Sequence, residues 1–211
     1  GLGDVKGDKF GKTPLENDKL KSLNSLAEKG TNGIVYVTPG IAPESNSAVL
    51  SLLGYPAEVH GGRGPLEAIG CGVEFKDGML GLRSNYATAD GDKLVDRRVG
   101  RNLTSEEAAS LADAINKNVK LSKGSFIFKA SVAHRAVLVI EADEKLSANV
   151  SNTDPAYRMK DGIAEALKEY PKKVMESKPL EKGAELSAEL LNEFTKKSQE
   201  VLEQCEVNKK R

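Results

Sequence analysis

A β-branched run, Gly33 to Thr38 (GIVYVT), is followed by a Pro/Gly loop, PGIAPESN. A short apolar stretch from Ser47 to Leu53 comes next, closed by Gly54. β-branched residues favour strands, and a glycine after an apolar helical run is a stop signal. The order strand, loop, helix points to a three-layer α/β domain, with the strand buried. Upstream, Thr13-Pro14-Leu15-Glu16 reads as a capping box with proline at the first helical position. Leu20, Leu23, Leu26 and Ala27 continue at helical spacing until Gly30.

The texture then changes. Gly61-Gly62-Arg63-Gly64-Pro65 reads as a stiff, glycine-rich crossing. Strand patterns follow, joined at Asp77-Gly78 and Asp90-Gly91, both hairpin signals. Thr104 and Glu107 form a second capping box, opening a helix through about Lys117. Ser125 to Val132 and Arg135 to Ala142 are expected to be a strand pair, and Asp161 to Tyr170 a helix. Ala184 to Val207 is expected to be one long helix with Leu186, Leu190, Phe194, Val201, Leu202 and Cys205 down one side. The middle of the chain therefore reads as an α+β insertion in an α/β framework.

Charge and composition exclude several partners. Lys plus Arg is 31 and Asp plus Glu is 31, so no overall basic field is available for nucleic acid. Five Phe, five Tyr and no Trp give no aromatic platform for bases. No run approaches the roughly 20 apolar residues that span a bilayer. The front shows no signal-peptide pattern, and Cys71 and Cys205 match no zinc spacing. They read as reduced thiols of a cytoplasmic protein with neither nucleic acid nor membrane as partner. The sequence gives no oligomeric state.

Three groups of residues could carry chemistry. Ser45-Asn46-Ser47 sits where a helix begins, and free N–H groups there stabilise a phosphoryl group. Such residues also serve simply as helix caps. Arg63, Arg83, Arg97, Arg98 and Arg101 come from separate elements, with Asp96 beside them and Asn85 two residues after Arg83 on the same strand face. Guanidinium groups grip carboxylate and phosphate bidentately, so this set suits a small dianion, although a solvated face with ion pairs has the same composition. His134-Arg135 opens the strand RAVLVIEA, and His60 is the one other histidine. Asp154-Pro155 reads as a turn initiator, and Asp4 and Asp8 as loop carboxylates. These residues assemble no complete metal cage.

Together these stretches resemble a known family. GLGD at the start, KTPLE, GIAPESN, AVLSLLGYP, GGRGPLEAIGCGVEF, LRSNYAT, VDRRVGR, HRAVLVI, NTDP and LLNEF follow one another in order. The chain is similar in this to the archaeal-type cofactor-independent (2,3-bisphosphoglycerate-independent) phosphoglycerate mutases of the alkaline phosphatase superfamily. The resemblance implies part of an alkaline-phosphatase-like three-layer domain in residues 1–58, an inserted α+β substrate-binding domain in 59–180, and a returning helix in 181–211. It also implies interconversion of 3-phosphoglycerate and 2-phosphoglycerate in glycolysis and gluconeogenesis, through a phosphoserine on Ser45. Two divalent ions, Mn²⁺ or Mg²⁺, would assist, without 2,3-bisphosphoglycerate. Ser45 would be both nucleophile and metal ligand. Arg63, Arg83, Asp96, Arg97, Arg98 and Arg101 would hold substrate, with Asn85 and His134 beside them.

The chain departs from the family pattern in two ways. The family normally has an acid where this chain has Asn46. The other metal ligands of the family lie before Gly1 or beyond the long helix, so these 211 residues are expected to be an incomplete portion without mutase turnover and with exposed apolar surface. Two other functions fit the same residues: a homoserine kinase-like phosphotransferase, or a non-catalytic anion-binding module.

Overall fold

The strand RAVLVIE is apolar at five consecutive positions because it is buried on both sides. In the computed structural model, which describes residues 11–16, 19–33, 35–40, 45–56, 62–160 and 163–211, Ala136 to Ile140 are all buried. The chain divides into two compact units, Gly1–Tyr36 and Val37–Arg211.

In the first unit the Thr13 N–H donates to Glu16 Oε2 (2.7 Å) and the Glu16 N–H to Thr13 Oγ1 (3.3 Å). The capping box thus forms, but it closes only a single 3-10 turn, Pro14–Glu16. Helix α1 (Lys21–Lys29) begins later and buries no residue; Leu26 is 68% exposed. The Asn32 side chain donates to the Ala27 carbonyl (3.0 Å), satisfying an acceptor at the helix end. The strand expected over 33–38 is not observed. Among its described residues none belongs to a strand, and Val35 and Tyr36 are 72% and 82% exposed. Backbone N–H and C=O groups make a strand only beside a partner, and no described strand pairs with this one. Ile34 lies outside the described residues.

In the second unit, helix α2 (Ser45–Leu52) ends as a Schellman motif. The Tyr55 N–H donates to the Leu50 carbonyl and the Gly54 N–H to the Ser51 carbonyl, both 3.0 Å, with Gly54 at φ 89°. Arg63-Gly64-Pro65, expected to be a crossing, instead opens helix α3 (Arg63–Gly70). Proline is tolerated in a first turn, where its missing N–H has no partner anyway. Gly64 must be glycine: a Cβ there would lie 1.9 Å from the Gly81 carbonyl oxygen. Strand β1 (Leu80–Asn85) therefore carries α3 directly on its backbone. The Asp77-Gly78 turn precedes β1 without linking two strands. Asp90-Gly91 does join a hairpin, between β2 (Thr88–Asp90) and β3 (Lys93–Asp96).

Helix α4 (Ser105–Asn118) has both bonds of the Thr104–Glu107 capping box and buries Ala108, Leu111, Ala112 and Ile115. Strands β4 (Ser125–Ala130) and β5 (Arg135–Glu141) pair antiparallel, and the sheet order is β1-β5-β4. Val137 and Val139 pack with Ala68 of α3 on one face. Ala136, Leu138, Ile140 and Phe128 join α4 and helix α5 (Glu185–Gln204) in the main core on the other. Both faces are covered, which is why β5 shows no polar alternation. The outer edge of β4 is blunted by Asn116 of α4, which donates to the Phe128 carbonyl (2.6 Å) and accepts the Phe128 N–H (2.9 Å).

A helix was expected over 161–170, but the described residues 163–170 do not form one. Strand β6 (Tyr157–Lys160) pairs with β7 (Ile163–Ala166), and Arg158 faces Glu165 across the hairpin at 2.7 Å. Asp161 and Gly162 lie outside the described residues. Pairing with a neighbouring strand has overridden the helical spacing of IAEAL. Finally, α5 places Leu190 and Phe194 in the core as expected, but it stops at Gln204. Cys205 is extended (φ −72°, ψ 129°), and a short helix α6 (Glu206–Lys209) follows.

Candidate functional site

The contact of Gly64 with Gly81 brings the first turn of α3 over β1, and with it two arginines. Arg63 and Glu67 lie one helical turn apart, Nη2 to Oε1 3.8 Å. The same Glu67 Oε1 is 2.9 Å from Arg83 Nε on β1. Asn85 shares the strand face of Arg83, and its Oδ1 is buried with no hydrogen-bond partner among the described residues. Asn85 is directly opposite Arg135 in the β1–β5 register.

The turn between β4 and β5 supplies the centre. Ala133 has φ 52°, a left-handed conformation that turns the chain sharply before β5. The His134 carbonyl accepts the Tyr86 N–H at 2.7 Å, which ties the turn to the end of β1. The His134 side chain is 8% exposed, and its Nδ1 is buried without a partner among the described residues. Its pKa lies below the ordinary histidine value. Burial is the main cause, and the charges of Arg135, Arg98, Arg101 and Arg83 add to it in that order. The positive charges of four guanidinium groups, from three segments of chain, thus act together against protonation of this buried imidazole.

Arg98 and Arg101 sit on a strained turn. Val99, Gly100 and Arg101 have φ of 45°, 65° and 56°. Two of the three carry side chains, and such conformations cost of order 1–3 kcal/mol each. Asp96 caps the turn, its Oδ1 accepting the Arg98 N–H at 2.7 Å, and the Arg101 N–H donates to the Arg98 carbonyl at 2.8 Å. Among the described residues, no carboxylate pairs with Arg98, Arg101 or Arg135. Cations left without a counter-charge near a buried polar group have the chemistry to accept a small anion.

Not every expected residue joins this cluster. Arg97 turns to Asp154, with Nε to Oδ1 2.8 Å and Nη2 to Oδ2 2.5 Å. Ser45 is the exposed first residue of α2, and no hydrogen bond among the described residues links it to the arginines. Ser47 of the same tripeptide is 1% exposed, so its hydroxyl is shut away from any incoming group. One member escaped the sequence reading of the site: Glu67, signalled only by its helical spacing from Arg63. The charge between the arginines was not legible, because Arg83 reaches Glu67 only through the glycine contact.

The described residues do not fit a two-ion centre. Among them no group of three or more His, Cys, Asp or Glu side chains could hold a metal, and of the ligands that the resemblance implies only Ser45 is present. Asp4, Asp8 and His60 lie outside the described residues. Cys71 and Cys205 are free thiols. No helix among the described residues is long and apolar enough to cross a membrane.

Comparison with known proteins adds the family context. A family model described as 2,3-bisphosphoglycerate-independent phosphoglycerate mutase matches residues 27–208. A protein of that name from Aeropyrum pernix is 45% identical over 202 residues, covering 92% of this chain and 48% of its own length. One from Methanopyrus kandleri is 41% identical over 209 residues, covering 95% of this chain and 46% of its own length. The chain thus spans about half the length of these relatives. A solved structure of a cofactor-independent phosphoglycerate mutase from Thermoplasma acidophilum is similar over 81% of this chain and 42% of its own. Its TM-score is 0.59 at 32% identity.

Proposed function

Since the chain belongs to the 2,3-bisphosphoglycerate-independent phosphoglycerate mutase family, we propose that its arginine cluster is the substrate site for interconversion of 3-phosphoglycerate and 2-phosphoglycerate in the complete enzyme. The observation that carries this reading is the buried His134, whose Nδ1 has no partner among the described residues, in the field of Arg98, Arg101 and Arg135, which no described carboxylate pairs. A phosphoglycerate presents a carboxylate and a phosphate a few bonds apart. Guanidinium groups pair with both, each charge-assisted bond contributing about 1.5–3 kcal/mol. Arg63 and Arg83 would approach from one side, and Arg98 and Arg101 from the other. Asn85 and neutral His134 would offer hydrogen bonds to the glycerate hydroxyl without adding charge. Asp96 would act through the turn it caps.

In this reading Ser45 takes the phosphoryl group. Its oxygen bonds to phosphorus as the bond to the 3-oxygen breaks, and the serine proton ends on that oxygen. The bound glycerate reorients, and the phosphoserine gives the group to the 2-oxygen with the reverse proton movement. The work of this chain is to position the acid and balance its charge, as phosphoryl transfer requires. The framework we propose is that of the resemblance: 59–180 as inserted substrate-binding domain, and 1–58 with 181–211 as part of the three-layer domain. Mn²⁺ or Mg²⁺ ions are the expected cofactors, and the cytoplasm and central carbon metabolism the expected setting.

The test is made on a polypeptide that extends this chain to the relatives' full length. Incubated with 3-phosphoglycerate, it is expected to carry phosphate on Ser45 by mass spectrometry and to form 2-phosphoglycerate in a coupled enolase assay. Ser45→Ala should lose both. Undiminished isomerisation in that variant would refute the phosphoserine route.

A further inference from the structure

We propose that Asp154, Tyr157 and Tyr170 are a positioning device: they immobilise Arg97, and through it they hold the strained turn 98–101 so that Arg98 and Arg101 face the anion. This inference rests on the reading of the arginine cluster as an anion site. It gives Arg97 a different task from that of its neighbours.

Arg97 already has its anion. Asp154 fills the Nε and Nη2 edge of the guanidinium with both carboxylate oxygens, at 2.8 and 2.5 Å. Asp154 Oδ1 also accepts the Ala156 N–H at 3.0 Å, so the carboxylate is itself fixed. The guanidinium carbon lies 5.2 Å from the centre of the Tyr157 ring and 5.5 Å from that of Tyr170, within cation–π range of both. The edge that would grip a substrate oxyanion is therefore taken. Arg98, Arg101 and Arg135 have no such partner among the described residues.

The segments that carry these groups are anchored. Tyr157 begins β6, and the Leu167 N–H closes back on the Ala156 carbonyl at 2.9 Å. Beyond Tyr170, residues 172–174 pair with the β2–β3 hairpin. Leu94 donates to the Lys172 carbonyl and Val174 to the Asp92 carbonyl, both at 3.1 Å. The strained turn begins one residue after the clamped arginine. Val99 and Arg101 do not hold left-handed backbone by preference, so something outside the turn must hold it. The Arg97 clamp is the anchor on its N-terminal side. On its C-terminal side Asn102 lies against Gly100 and accepts a bond from Arg211 at 2.5 Å.

The device and plain electrostatics predict opposite signs. Asp154 is a negative charge close to a cationic site. Removing it would tighten anion binding if charge alone mattered, and weaken it if the clamp sets geometry. Affinity of the full 211-residue chain for 3-phosphoglycerate is measured by titration calorimetry, with folding followed by circular dichroism. Asp154→Asn is expected to bind about tenfold more weakly, as for a modest misplacement of the gripping groups. Tyr170→Leu should weaken binding, while Tyr170→Phe, which keeps the ring face, should restore it. A folded Asp154→Asn chain that binds as well as the parent, or more tightly, overturns the proposal. If that variant does not fold, equal affinity in the Leu and Phe variants overturns it instead. A parent chain that binds no 3-phosphoglycerate removes the anion-site reading and this proposal with it.

Discussion

Helices α1 and α4 have the same apolar spacing and opposite fates. In α1 no residue is buried, whereas α4 buries Ala108, Leu111, Ala112 and Ile115. The contrast extends to the stretches around them. Up to residue 56, Val35, Tyr36, Val49, Leu53 and Tyr55 are exposed; beyond residue 62, Leu80, Leu138, Ile140 and Leu190 are completely enclosed. Apolar periodicity marks a face that wants covering, and says nothing of whether the covering group is in the chain. The later region brings its own partners, and among the described residues the earlier one does not.

Core deletions should break this comparison most visibly. Leu138→Ala is expected to destabilise the chain by about 2–5 kcal/mol, the usual loss for an enclosed leucine. Leu26→Ala should change stability by no more than about 0.5 kcal/mol, as at other exposed positions. Equal effects in urea unfolding would mean that the two regions are not different in kind.

The glycine contact sharpens the comparison next. Gly64→Ala puts a Cβ into the Gly81 carbonyl, so α3 must lift from β1. A loss of roughly 1–3 kcal/mol is expected from such overpacking. Weaker 3-phosphoglycerate binding should accompany it, because Arg63 and Glu67 move with the helix. Gly33→Ala, in the earlier region, meets nothing within 4 Å and should be silent in the same assays.

The two capping boxes offer a smaller, internally controlled test. Thr104→Ala removes a bond that opens a 14-residue helix and should cost about 1 kcal/mol. Thr13→Ala removes the same bond from a single turn. Its effect on thermal unfolding should be lost in measurement error, and a matching loss would show that the first unit is more cooperative than its exposure implies.

The smallest effect is a pH dependence. His134 has a lower pKa folded than unfolded. The unfolded chain therefore takes up its proton first as pH falls. The associated stability is whole above about pH 6.5, the ordinary histidine value, and is lost as pH falls through the folded pKa. His134→Gln should flatten the decline of Tm over that window. An unchanged slope would mean that His134 is not held neutral.

Much of the later region was legible in the sequence because its signals are local. Thr104 and Glu107 announce α4 three residues apart, Asp90-Gly91 announces a hairpin, and the Leu190 and Phe194 face announces where α5 packs. The misses needed distant information. IAEAL has helical spacing, yet Tyr157–Lys160 takes its backbone into a ladder. GIVYVT has strand composition, yet no described strand lies beside it. The site divides in the same way. Arginine is the residue for gripping small anions, so the set could be chosen by type. Which arginines are committed could not, since the partner of Arg97 is 57 residues away. The left-handed turn was signalled only by Gly100, and Val99 and Arg101 follow it against their preference.

The central claim is that the positive field of four arginines at the buried His134 receives a small dianion. An NMR titration of the His134 imidazole in the 211-residue chain, with and without 3-phosphoglycerate, tests it at the atom concerned. The account predicts a pKa below the ordinary value in the free chain and an upward shift on saturation, as the ligand offsets the guanidinium charges. An imidazole that titrates identically in both conditions would contradict it.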